Sequence, residues 1–277
     1  MMTFFSIRGQ SIGYRLLLAI LVLLSIAGLA AAYYMEHEGH RVTGMTNQVI
    51  WGIPHIFAVF LILAASGALH VASISSVFGK ADYKPMARLS GLLAITLLLG
   101  GLVVLVLDLG RPDRLIVAMT TFNFRSIFAW NIFLYTGFIA VVAVYLWMMF
   151  ESRMNRHSRI VGIFAFVWRL VLTTGTGLIF GVLVAREAYD AVIMAPLFIL
   201  HSLSLGTASY LLVLVVAFHG SGQVLDMVLA RKLSKLLGWF VLAVLAIGVL
   251  ANAFATALIS IISVLFLREY SKIKPKV

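Results

Sequence analysis

The residues whose types and spacing could do chemistry lie mainly in one short stretch, 107–131, between two long apolar runs. A carboxylate, Asp108, is followed within a few positions by a guanidinium, Arg111, and by a second carboxylate, Asp113, after the helix-breaking Pro112. Charged groups are costly at the edge of a hydrocarbon layer, so charges retained there indicate a functional site. These groups suit proton exchange at Asp108, with Arg111 holding the carboxylate charged and oriented.

A polar segment follows this break and leads into the next apolar run. Ser126 precedes that run, and Trp130 and Asn131 lie just inside it. An amide within a membrane span is costly without a hydrogen-bond partner, so Asn131 predicts a contact with a ligand or another helix. Trp130 fits either an aromatic belt at the membrane surface or a contact with a ligand.

The composition is typical of an integral membrane protein. Of the 277 residues, 62% are hydrophobic and 11% are charged, whereas a soluble domain has about 25% charged residues. Because the chain has no cysteine, disulfides, thiolate-bound iron–sulfur clusters and zinc–cysteine sites are excluded, and no metal site is expected. The net charge of +11 does not predict a nucleic-acid partner, because the basic residues lie in short loops.

The apolar runs predict an all-α, polytopic transmembrane helix bundle of about seven to eight spans, since each of the first six runs has the ~20 residues that a hydrocarbon core requires. The first run is interpreted as a span and not as a cleavable signal. The last run is long for one upright helix and short for two, so its topology stays open. The predicted spans are 14–35, 51–77, 87–108, 127–150, 160–185, 194–218 and 236–267.

Basic residues are concentrated in the N-terminal tail and the even-numbered loops, so the positive-inside rule places these segments, and the N-terminus, in the cytoplasm. The odd-numbered loops then face outward, which in a bacterial cytoplasmic (inner) membrane is the periplasmic side. The inward basic residues are Arg8, Arg15, Lys80, Lys84, Arg88, Arg153, Arg156, Arg159, Arg231, Lys232 and Lys235.

Helix alternation brings polar groups from four spans to the outer face. His55 lies about one turn inside its span, and His201 lies roughly 10 Å deep at 1.5 Å per residue. Such a set predicts a pocket for a head group that needs proton exchange and hydrogen bonds, which describes a quinone. The converging residues are His55, Asp108, Arg111, Ser126, Trp130, Asn131 and His201.

Structural interpretations stand beside this one. His55 could be an interfacial anchor, the Asp108–Arg111 pair could only end a helix, and His201 could join helices. Two other functions are also open: His55 and His201 could hold a b-type haem, or the chain could be a secondary transporter, although two matching broken helices are not evident.

A second polar trace runs deeper in the membrane. Arg169 and Thr173 lie in the middle of the fifth span, and Ser66 and His70 lie in the second. An arginine near the bilayer centre needs a partner or water. The trace is interpreted either as a proton or water path or, preferably, as a structural arginine bound to neighbouring carbonyl groups.

Three segments together resemble the NrfD / polysulfide reductase membrane subunit family. They are WGIPHIFAVFLILAASGAL, the helix end LDLGRPDR and the restart NFRSIFAWNIFLYTGF. The combination of LGRP at a helix end with a restart that contains serine and tryptophan is typical of that family. The resemblance covers about residues 45–220.

The resemblance implies a cofactor-free, quinone-reactive anchor, a subunit and not a complete enzyme. It would exchange electrons between a quinone, either menaquinone or ubiquinone, and a ferredoxin-like iron–sulfur subunit on the periplasmic face. A molybdopterin or other catalytic subunit would complete the complex. Whether electron transfer is coupled to proton movement stays open. Motif matching gives Asp108, His55 and Arg111 catalytic roles, and Ser126, Trp130 and Asn131 quinone-binding roles.

The resemblance also implies a division of the chain. Residues 1–50 would form an N-terminal span and an outer loop, and residues 51–185 a four-helix quinone-binding bundle. Residues 186–277 would form a second bundle. Family members have more spans than are predicted here, so this second bundle is expected to be incomplete or to lack a segment that relatives possess.

Overall fold

The computed structural model describes residues 12–49, 51–110, 112–151, 153–181, 193–221 and 226–249. These residues form helices and connecting turns, and no strand occurs among them, which confirms the all-α prediction. Seven of the helices are long and apolar enough to cross a membrane, so the protein is a multi-pass integral membrane protein. The helices are α1 (Ile12–Glu38), α2 (Ile53–Ser76), α3 (Ala87–Leu107), α4 (Leu115–Thr120), α5 (Ile127–Phe150), α6 (Ser158–Gly181), α7 (Met194–Ser221) and α8 (Met227–Val249).

The first six spans match their predicted positions to within a few residues, but α8 begins nine residues before the predicted start at 236. Its first turn is capped by Asp226, whose Oδ1 accepts hydrogen bonds from the backbone N–H groups of Val228 and Leu229 at 2.9 and 3.2 Å. Leu229 and Leu233 are buried against Tyr210 of α7. The basic residues that were assigned to a loop, Arg231, Lys232 and Lys235, therefore lie on a helix.

Helix α2 is the centre of the bundle. Every residue from Ile62 to Ser73 is buried, and α3, α6 and α7 all pack against this helix. The run is rich in alanine, serine and glycine, and such small residues let neighbouring helix backbones approach closely in a membrane. Helix α5 packs against α3 and α6, so α2, α3, α5 and α6 form a closed set of four helices, and α7 covers α2 and α6.

Helices α2 and α7 approach each other closely through their backbones. A Cβ atom at Gly67 would overlap the carbonyl oxygen of Ser202, and one at Gly206 would overlap the backbone of Gly67. Glycines also lie at the contacts between other helix pairs. A Cβ at Gly91 would meet Leu146, and one at Gly177 would meet the backbone of Ala195. These glycines therefore permit the close spacing between the helices.

The helices meet at two distinct ends of the bundle. At one end, Phe180 of α6 contacts His55 of α2 and Phe198 of α7. We call this the His55 end. At the opposite end, the hydroxyl group of Tyr210 in α7 donates a hydrogen bond to the Met86 carbonyl group at 3.2 Å, and Arg88 donates one to the Met149 carbonyl group at 2.8 Å.

Substituting Gly67 with alanine should destabilise the bundle by about 1–3 kcal/mol, the usual cost of overpacking a core. The added methyl group meets backbone atoms of α7, which cannot move aside as a side chain can. The thermal midpoint of unfolding in detergent, followed by tryptophan fluorescence, should fall. Gly28→Ala in α1 is the matched control, because a Cβ there meets nothing within 4 Å; equal midpoints for the two variants would contradict the packing argument.

Candidate functional site

The His55 end contains a pair of titratable side chains, a buried carboxyl group and a partly buried imidazole, at the ends of two helices. Asp108 is the first residue after α3, and its N–H donates to the Val104 carbonyl group at 3.0 Å, so the carboxylate stands where the helix ends. His55 lies in the first turn of α2, next to Pro54. Its Nδ1 atom is 3.5 Å from Oδ2 of Asp108. The structure thus brings together two of the predicted site residues.

The surroundings of Asp108 favour its protonated form. Burial raises the pKa of this carboxyl group above its ordinary value, while the nearby His55 and His40 side chains act in the opposite direction and lower it. The Oδ1 atom is buried and has no hydrogen-bond partner among the described residues. Burial thus shifts this carboxyl group toward its protonated form, and none of the described residues forms a hydrogen bond with Oδ1.

His40 acts electrostatically on Asp108, and sequence reasoning did not predict it. It begins a short 3-10 turn, His40–Thr43, between α1 and α2. Both of its ring nitrogens are buried without a hydrogen-bond partner among the described residues. Its place in an outer loop, on the same face as Asp108, was a signal that could have identified it.

Aromatic side chains form a wall on one side of the pair. The Trp51 ring stacks on the His55 ring with centroids 5.1 Å apart and an angle of 4°. Phe180 presents its edge to Trp51 at 4.7 Å, and Phe198 lies 5.2 Å from Phe180. Neither phenylalanine was predicted, because hydropathy alone does not distinguish a site-lining residue from a core or lipid-facing one. The wall therefore places three aromatic rings, two of which pack directly on the His55 ring, beside the His55–Asp108 pair.

Asn131 lies in the interface between α5 and α6. Its Nδ2 donates to the carbonyl oxygens of Ile127 at 2.9 Å and Gly175 at 3.1 Å. Its Oδ1 accepts a hydrogen bond from the Thr176 hydroxyl group at 3.4 Å. The amide is therefore satisfied within the protein, and a ligand that bound Asn131 would compete with these bonds.

The other predicted site residues are placed differently. Trp130 is half-exposed and donates its Nε1–H to the Phe124 carbonyl group at 2.9 Å, within an aromatic surface group at the start of α5. Ser126 is the N-cap residue of α5, and its side chain makes no capping hydrogen bond. His201 is partly exposed on α7. Arg111 lies outside the described residues.

A second polar cluster lies in the middle of the bundle. The buried Arg169 guanidinium donates to the Ser66 carbonyl group at 3.4 Å, and the hydroxyl groups of Ser66 and Thr173 are 2.6 Å apart. Toward α7, His70 lies 3.5 Å from the Thr207 hydroxyl group. None of the helices α2, α3, α5, α6 and α7 contains an aspartate or glutamate, so these spans offer Arg169 no carboxylate.

Comparisons with known proteins agree with the resemblance noted in the sequence. The family model described as "Polysulphide reductase, NrfD" matches residues 41–270. The chain is 29% identical over 275 residues to the Hdr-like menaquinol oxidoreductase integral membrane subunit of Archaeoglobus fulgidus, a match that covers 97% of this chain and 68% of that protein.

Two further relatives are more distant. A selenate reductase subunit of Mesobacillus selenatarsenatis is 20% identical over 265 residues, 82% of this chain and 62% of that protein. The menaquinone reductase integral membrane subunit of Nitratidesulfovibrio vulgaris is 27% identical over 135 residues, 48% of this chain and 32% of that protein. The matched part thus spans from about a third to about two thirds of the lengths of these three relatives.

The Asp108 carboxyl group should be detectable by infrared titration as a protonated acid that persists above the ordinary aspartate pKa of about 3.9. Because the pKa of Asp108 is raised on folding, its contribution to stability is full below the ordinary pKa and is lost as the pH rises through the raised one. His55→Gln should raise the titration midpoint of Asp108 further, since His55 lowers the pKa of this carboxyl group.

Two aspartate variants assign the infrared band. Asp108→Asn should remove it, whereas Asp113→Asn, at an exposed position five residues later, should leave it unchanged. A band that survives in the Asp108 variant would show that another group titrates there.

Proposed function

Because the chain belongs to the NrfD, or polysulphide reductase, family, we propose that it is the membrane subunit of a respiratory oxidoreductase complex that exchanges electrons with a membrane quinone. The observation that carries the proposal is the buried His55–Asp108 pair beside the Trp51–Phe180 wall. Two relatives are named for menaquinol or menaquinone chemistry, which supports menaquinone as substrate, with ubiquinone as the alternative.

The chemistry of a quinone matches the groups available at the His55 end. A quinone carries a flat ring with two carbonyl oxygens, and it takes up or releases two protons with two electrons. The aromatic wall would hold the ring, and His55 and Asp108 would exchange protons with its oxygens. Arg111 stays a predicted partner that orients the Asp108 carboxylate.

Ser126, Trp130, Asn131 and His201 stay predicted contacts of the head group. For Asn131, the existing bond to the Gly175 carbonyl group means that binding would rearrange the α5–α6 interface. His201, on the same helix as Phe198, would approach the ring from the side of α7.

The electrons would leave or enter through a partner subunit at the outer face. We propose a ferredoxin-like iron–sulfur protein in this role, together with a molybdopterin or other catalytic subunit. A relative named as one of the subunits of a selenate reductase supports assembly with a catalytic subunit. No cofactor resident in this chain is needed if a cluster of the partner lies within electron-transfer distance of the His55 end.

The proposed orientation has the N-terminus in the cytoplasm of a bacterium and the His55 end in the periplasm. The distribution of basic side chains supports it, because Arg88 and the basic first turns of α8 lie at the opposite end of the bundle. The quinone-binding unit would be residues 51–185, with α1 and its following turn on one side. Helix α7 would add Phe198 to the wall from the remaining segment, 186–277.

Asp108→Asn should lower quinol-dependent turnover of the assembled complex by about 100-fold or more, the usual worth of a general acid–base group. Asparagine keeps the volume of the side chain but cannot take up the proton, so assembly should be normal. Turnover with the purified complex and the amount of bound partner subunit are the measurements. Asp113→Asn is the control and should be fully active; normal turnover in the Asp108 variant would refute the assignment.

Substitution of Arg169 tests whether protons also cross the middle of the membrane. We propose that its role is structural, because its guanidinium group bonds to the Ser66 carbonyl group and lies over the Phe166 ring at 5.0 Å. Since these spans offer Arg169 no carboxylate, removal of the guanidinium group leaves no unpaired opposite charge behind. Arg169→Met in proteoliposomes should therefore keep both quinol turnover and proton movement, whereas loss of proton movement with turnover intact would favour the path.

A further inference from the structure

The turn between α1 and α2 is fixed against the His55 end. Gly39 and Gly44 flank it with φ values of 85° and 86°, a conformation that favours glycine. The Thr43 hydroxyl group donates to the His40 carbonyl group at 2.7 Å, and Thr43 is packed so tightly on α2 that a Cβ at Gly52 would overlap its Oγ1 atom. The position of His40 is therefore determined by the same packing that places the start of α2.

Two pairs of titratable side chains lie at this end of the bundle. The Glu36 carboxylate, 43% exposed, lies 3.7 Å from Nε2 of His40, which is 19% exposed. The Asp108 carboxylate, 5% exposed, lies 3.5 Å from Nδ1 of His55, which is 17% exposed. His40 also acts electrostatically on Asp108, since its charge lowers the pKa of that carboxyl group. The exposed fraction of the side chain thus falls from Glu36 to His40 and from His40 to Asp108.

Between the two pairs lie polar atoms that make no hydrogen bond. Oδ1 of Asp108 and Nδ1 of His40 are buried, and neither has a hydrogen-bond partner among the described residues. Buried polar atoms are ordinarily hydrogen-bonded to protein or water. Since the second ring nitrogen of His40 faces Glu36, one water molecule or substrate oxygen between Nδ1 and Oδ1 could bridge the two pairs.

We propose that Glu36 and His40 form a proton relay that connects the Asp108–His55 pair to the aqueous phase at the outer face. The relay rests on the proposed quinone chemistry and extends it to residues outside the quinone-binding unit. Imidazole suits this place because it accepts a proton on one ring nitrogen and releases another from the second.

The proton balance of one step is simple. A proton leaves a quinol hydroxyl group for the His55–Asp108 pair, passes to His40 and then to the Glu36 carboxylate, and Glu36 releases it to water. The electron would leave separately, to the iron–sulfur partner proposed above, which would accept electrons one at a time. Quinone reduction runs through the same groups in the opposite order.

The test uses the purified complex at saturating quinol. His40→Ala should lower kcat by about tenfold or more, while KM and the affinity for a quinone-site inhibitor stay at their wild-type values. Added imidazole should restore turnover in a saturable manner, which it would not do if His40 only supported the fold. His37→Ala is the matched control: His37 is an exposed histidine three residues earlier, stacked on Tyr33, and its loss should change neither rate nor imidazole response.

Separate outcomes distinguish the relay from the proposed function. If wild-type complex neither binds nor oxidises quinol, or if Asp108→Asn is fully active, the proposed function fails. If those results are as expected but His40→Ala turns over at the wild-type rate, or is slow without imidazole rescue, the relay is refuted. If His40→Ala fails to assemble, Glu36→Gln, at a more exposed position, tests the relay instead. This variant should turn over quinol more slowly without weaker inhibitor binding. An unchanged rate would overturn the proposal.

Discussion

The close packing around α2 is the constraint on which the rest of the structure depends. Because its middle residues are alanine, serine and glycine, three other helices can contact it at once, and their backbones approach where Gly67 meets Ser202 and Gly206. That contact fixes the rotation of α2 about its own axis. The direction of His55 at its outer end, toward Asp108 of α3 and Phe180 of α6, follows from the same packing.

The bundle accommodates its two buried ionisable clusters in different ways. Near the edge, the desolvated Asp108 carboxyl lies beside groups that can share or remove its proton. In the middle, Arg169 is held by carbonyl and hydroxyl oxygens and an aromatic ring, in spans without a carboxylate. The Asp108 cluster suits proton exchange because water can reach its more exposed side chains. The Arg169 cluster suits a fixed contact between α2 and α6.

Much of this organisation is predictable from sequence, because hydropathy identifies spans and alternation assigns their ends to one face or the other. That reasoning was sufficient to bring His55 and Asp108 to one end of the bundle. It places His40 in an outer loop on the same face, but it does not fix the position of the ring, which depends on the turn at Gly39 and on the packing of Thr43. It also misplaced the start of α8, because Arg231, Lys232 and Lys235 lie on the exposed side of a capped helix and resemble a loop in a hydropathy profile.

The only buried residue of α1 within 12–38, Met35, lies near the outer end of the helix, and this has a consequence for how the protein fits its bilayer. The apolar stretch 16–35, between Arg15 and Glu36, has 20 residues, about 30 Å at 1.5 Å per residue, which equals a hydrocarbon core of about 30 Å. A thinner membrane would therefore be matched by a greater inclination of α1, while the turn that carries His40 keeps its place on α2.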